Sequence, residues 1–90
     1  MCDSIQSFQA YIIFQNSLGA FATQRALSSP LFADFSFTLQ LVPTPKEYSK
    51  NCTLSVFLEW SEDSKKEGEF IESIGVLLAQ KHIKHDIIRL

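Results

Sequence analysis

Apolar and polar positions alternate without a break from Phe35 to Leu41, placing Phe35, Phe37, Leu39 and Leu41 on one side and Ser36, Thr38 and Gln40 on the other. A period of two belongs to a strand with one buried face. Leu54 to Trp60 repeats the pattern, with Leu54, Val56, Leu58 and Trp60 together and Ser55, Phe57 and Glu59 opposite. Ala10 to Gln15 is β-branched and aromatic with apolar residues on both sides, as a central strand requires, and Asp86 to Leu90 reads as a last strand.

Two stretches carry the helical period instead. Asn16 and Ser17 offer N-caps for a short helix over residues 18–27, where Ala20, Phe21, Leu27 and Leu31 fall at helical spacing, and Ser28-Ser29-Pro30 ends it. Phe70, Ile71, Ile74, Leu77 and Leu78 form an apolar stripe opposite Glu69, Glu72 and Ser73. This second helix is expected to begin near Ser64 and Glu67, which have the spacing of a capping box. Pro43 and Pro45 close the strand that begins at Phe35, and residues 46–51 form a loop or a single helical turn.

The order of elements is β-α-β-β-α-β, which predicts an α+β ferredoxin-like sandwich: a four-stranded antiparallel sheet with both helices on one face. Residues 1–9 are expected to be a flexible tail and residues 10–90 a single domain. Ser36, Thr38, Gln40, Ser55, Phe57 and Glu59 are expected on the open face of the sheet. Phe57 there is either the anchor of a homodimer or a scattered surface aromatic.

Composition narrows the function classes. The chain is 46% hydrophobic with eight Phe, so it should fold, and its net charge of −2 argues against nucleic-acid or anionic-membrane partners. No run of ~18 consecutive apolar residues occurs, and the N-terminus lacks the basic-then-apolar pattern of a signal peptide. Two cysteines, Cys2 and Cys52, are too few for a disulfide scaffold and fit a reducing cytoplasmic setting.

Cys52 is the candidate for chemistry. Lys46 and Lys50 lie close to it in sequence, and cations favour the nucleophilic thiolate. The competing reading is a packed thiol, since cysteine often serves as a small buried hydrophobe.

The run Leu41-Val42-Pro43-Thr44-Pro45-Lys46, followed by Ser49-Lys50-Asn51-Cys52-Thr53-Leu54, resembles the selenium/sulfur (Se/S) carrier protein-like family. In these short bacterial domains a strand ends Pro-x-Pro-Arg and Ser-x-x-Cys-Gly leads into the next strand. The resemblance covers nearly the whole chain and implies a cytosolic protein that carries sulfur or selenium on Cys52, as a persulfide or selenide. It also implies donor and acceptor proteins as partners, and makes the chain a carrier or binding protein more than a stand-alone enzyme. Lys46 and Lys50 would balance the anion, Ser49 would donate a hydrogen bond, and Pro43 and Pro45 would brace the loop. No cofactor is expected. Two positions depart from the family pattern: Lys46 stands for Arg and loses its bidentate fork, and Thr53 stands for Gly and restricts positive φ.

Other constellations are set aside. His82 and His85, three apart, would share a face on a helix, but nothing nearby in sequence completes a four-ligand zinc site, and a solvated helix end is the plainer reading. Glu62, Asp63 and the acids from Glu67 to Glu72 read as a charged helix start. No glycine cluster supplies a phosphate loop, and the ribonucleoprotein motif of RNA-binding ferredoxin-like modules is absent. The alternative to a carrier is a non-catalytic homodimer module in which Cys52 is structural, with a regulatory ligand-binding domain as a third class by fold analogy.

Overall fold

A computed structural model describes residues 5–48, 54–63 and 68–90. Strands β1 (Ile5–Phe14), β2 (Ser36–Pro43), β3 (Leu54–Asp63) and β4 (His85–Arg89) form one sheet in the order β2-β3-β1-β4, and helices α1 (Leu18–Leu27) and α2 (Glu69–Gln80) fill the connections after β1 and β3. All three pairings are antiparallel. This is the ferredoxin-like α+β arrangement that the pattern predicts, with β1 and β3 central.

The alternation of each strand decides what is buried. Ala10, Ile12 and Phe14 of β1 and Val56, Leu58 and Trp60 of β3 join Ala20, Leu27, Phe70, Ile74 and Leu78 of the helices in one core. Phe37, Leu39 and Leu41 of β2 pack against its margin, as expected of an edge strand.

Several boundaries and faces differ from the expectation. β1 begins at Ile5, five residues before Ala10, because residues 5–9 pair with the end of β3 from Ile5↔Asp63 to Gln9↔Glu59. Backbone pairing holds this segment, since Ile5 remains 67% exposed. β3 correspondingly runs three residues past Trp60. The buried face of α1 is Ala20, Thr23 and Leu27, while Phe21 points outward at 51% exposure and Leu31, also expected on this stripe, lies past the helix in a 3-10 turn, Pro30–Phe32, at 73%. Packing is closest at the first turn of α1, where a Cβ built on Gly19 would lie 2.6 Å from Phe14 Cδ1.

The helix ends show local chemistry. Asn16 Oδ1 accepts from the Leu18 N–H at 2.9 Å, so Asn16 caps α1 and the Ser17 side chain does not. α2 starts at Glu69, later than expected, and the proposed Ser64/Glu67 capping box lies outside the described residues. Its first amides instead bond to Glu62 of β3: Gly68 N–H donates to Oε1 at 3.0 Å and Phe70 N–H to Oε2 at 2.9 Å. α2 ends in a Schellman motif, with Ile83 N–H donating to Leu78 O at 2.9 Å and His82 N–H to Ala79 O at 3.1 Å. His82 takes the left-handed residue of that motif at φ 58°. His82 and His85 therefore do not share a helix end: one sits in the turn and the other opens β4.

Candidate functional site

The antiparallel sheet brings three connections to one end: residues 15–17 between β1 and α1, residues 44–53 between β2 and β3, and residues 81–84 between α2 and β4. The loop 44–53 contains the proposed carrier cysteine. Cys52 itself, Ser49, Lys50 and Thr53 lie outside the described residues, as does Cys2. The frame that holds the loop is described.

Pro43 is the last residue of β2 and stands opposite Leu54, the first of β3, so both ends of the loop are fixed by one strand pair. Proline suits this place because it has no N–H to give a continuing ladder. Thr44 Oγ1 and Ser55 Oγ then hydrogen-bond at 2.6 Å. This contact corrects one expectation: Ser55 has the alternation of the open face but is fully buried, its hydroxyl satisfied beneath the start of the loop. Lys46 to Tyr48 form a 3-10 turn, with Tyr48 N–H donating to Pro45 O at 2.9 Å. Pro45 is half-buried, and the Lys46 side chain is exposed.

That turn carries the chain across the sheet end. Tyr48 lines a cleft of about 250 Å³ with Ile13, Phe14, Gln15, Lys84, His85 and Asp86, residues of β1, the connection after it, the turn before β4 and β4 itself. His85 Nδ1 donates to Ile83 O at 2.9 Å, which fixes its ring and, in the neutral form, leaves Nε2 as an acceptor. Tyr48, Gln15, Lys84 and His85 were not among the expected site residues. The only signal that could have found them is topological, since antiparallel β1 and β4 must bring residue 15 and residues 84–85 to the loop end.

Charge is unevenly distributed between the two ends. Among the described residues, Lys46, Lys81 and Lys84 with His82 and His85 gather at the loop end beside Glu47 and Asp86, whereas Asp34, Glu59, Glu62, Glu69 and Glu72 lie toward the other end with Arg25 and Arg89. In a chain of net charge −2, three described lysines thus lie at the loop end, where their positive charge would favour an anion. No group of three or more His, Cys, Asp or Glu among the described residues could hold a metal ion. Nor is any described helix long and apolar enough to cross a membrane.

No curated protein and no solved structure matches the chain significantly. A family model described as "putative Se/S carrier protein-like" matches residues 9–87, from the middle of β1 to the middle of β4 and through the whole of loop 44–53. The chain belongs to this Se/S carrier protein-like family.

Proposed function

We propose that the protein carries one sulfur or selenium atom on Cys52 between donor and acceptor proteins in the cytoplasm. The observation that supports it most is the family match, which spans the Pro43-Thr44-Pro45-Lys46 turn and Cys52. The paired loop ends add to it: Cys52 is two residues from Leu54, and two residues of chain reach at most about 7 Å. Leu54 opens β3 at the end of the sheet that carries Lys46, Lys81 and Lys84, so this short spacing supports a thiol that works near those cations.

Loading is a thiol exchange. The Cys52 thiolate attacks the outer sulfur of a donor persulfide, a Cys52 S–S bond forms, the donor S–S bond breaks, and the donor cysteine leaves as a thiolate. The exchange conserves charge and needs no oxidant. Delivery is the same step in reverse sense, with an acceptor thiolate attacking the outer sulfur and Cys52 departing as the leaving group. Lys46 and Lys50 stabilise the anion, Ser49 donates to it, and Pro43 and Pro45 restrict the loop. With selenium the outer atom changes and the sequence of bonds does not.

Incubation with a cysteine desulfurase and L-cysteine, followed by intact mass measurement, is expected to add one sulfur atom to the wild type and to Cys2→Ser, and none to Cys52→Ser. Equal loading of Cys52→Ser, or no loading of the wild type, overturns the proposal.

A specific feature also favours a homodimer through the open sheet. Phe57, Tyr11 and Ile88 are successive cross-strand neighbours on the face away from the helices, and the Tyr11 and Phe57 rings lie 5.2 Å apart. No described element covers this row. A two-fold pairing of two copies would bury it, and Phe57→Glu is then expected to halve the mass seen by sedimentation while leaving the melting curve in place. A wild-type monomer, or a dimer indifferent to the substitution, rules this pairing out.

A further inference from the structure

The helices and the 3-10 turn after α1 expose several large hydrophobes. Leu18, Phe21, Leu31 and Val76 are 75%, 51%, 73% and 53% exposed, and the two helices leave between them a groove of about 640 Å³. Phe21, Leu31 and Leu77 supply its apolar walls, Ala22 and Ala26 keep it open, and Arg25 and Lys81 are the charged residues that line it. Among the described residues no carboxylate lines the groove, although the chain as a whole has more acids than bases. Apolar walls flanked by two cations, Arg25 and Lys81, with the neutral Ser29 between them in sequence, are complementary to an apolar stripe flanked by carboxylates, and a helix-in-groove contact has this form.

We propose that this groove is the docking site for an acidic amphipathic helix of a partner protein. The partner helix lies as a third helix on the layer, its apolar anchors against Phe21, Leu31 and Leu77 and its Glu or Asp residues beside Arg25 and Lys81. The groove also leads somewhere. Through Ala22 it adjoins a depression lined by Asn16, Leu18 and Lys84, and that depression shares Gln15 and Lys84 with the Tyr48 cleft. A partner held between the helices is therefore brought toward Tyr48 and the turn that carries it. The docking surface stands apart from the thiol chemistry, and is tested without it.

The probe is a synthetic fluorescent amphipathic helix with leucines on one face and glutamates along both flanks, titrated with the full chain and followed by anisotropy. Saturable binding is expected, weakened about tenfold or more by Arg25→Glu with Lys81→Glu, and similarly by Phe21→Ser, where tenfold corresponds to about 1.4 kcal/mol. All three substituted residues are exposed, so the variants should keep the wild-type melting curve. Raised salt should also weaken binding, since the rim charges are solvent-accessible. Four results overturn the proposal: no saturable binding, equal affinity in the variants, equal affinity for a peptide with lysines in place of glutamates, or displacement of the peptide by a poly-uridine oligonucleotide. A shift in the chain's own oligomeric mass in Phe21→Ser would identify the groove as a self-interface and overturn it as well.

Discussion

Glu62→Ala is expected to destabilise the fold by about 3 kcal/mol, because each hydrogen bond to a charged group contributes about 1.5–3 kcal/mol and a buried donor left without its acceptor is costly. The carboxylate is buried and holds the Gly68 and Phe70 amides from the neighbouring strand. It thus does the work of an N-cap for α2 without lying next to the helix in sequence, and it places negative charge at the positive end of the helix dipole.

The titration of Glu62 gives that prediction a pH signature. Burial is the largest influence and pushes the carboxyl upward, but the Phe70 and Gly68 amides, the Trp60 indole and Arg89 together outweigh it and leave the group below its ordinary value. Trp60 Nε1 makes no hydrogen bond of its own among the described residues, so the indole acts here as a nearby dipole. With the folded value below the unfolded one, ionised Glu62 contributes its full stability above the ordinary carboxylate range, around 4.3 for Glu, and loses it as acid protonates the folded protein. The stability gap between wild type and Glu62→Gln should therefore be constant from neutral pH to about 5 and shrink below it. Urea titrations of both proteins across that range would show it, and a gap that widened in acid would refute the assignment.

Glu62 also illustrates what could be read from sequence and what could not. β2, the core of β3 and α2 were legible because their periods are unbroken, and the central place of β1 followed from apolar residues on both its faces. A cap that acts across a tertiary contact has no local spacing to reveal it. The expected stripe of α1 divides: Ala20 and Leu27 are buried as their spacing predicts, whereas Phe21 is exposed and Leu31 lies beyond the helix in the 3-10 turn Pro30–Phe32. Residues 5–9 were missed because pairing, not burial, makes them a strand. Ser55 is buried by a hydroxyl partner eleven residues away in sequence, which alternation does not encode. Cys52 stood out by its lysine neighbours and by family resemblance, whereas Tyr48, Lys84 and His85 become neighbours only once the topology is built.

Phe70→Ala is expected to cost about 4 kcal/mol, within the range for deleting a fully buried aromatic ring. Phe70 has no exposed surface, and its ring meets Phe32, Phe35, Phe37 and Trp60 with centroids 6.1, 5.1, 5.0 and 5.3 Å away. Those four come from the connection before β2, from β2 and from β3, so the ring ties the first turn of α2 to half of the sheet. Its backbone amide is at the same time a donor to Glu62. Ring packing and capping therefore position one residue together, and weakening either should loosen the other. A double-mutant cycle with Glu62→Gln and Phe70→Leu is expected to show a coupling of about 1 kcal/mol, typical of contacting residues in one network. Strict additivity in denaturant melts would mean that the cap and the ring act independently, and that α2 is seated by its apolar stripe alone.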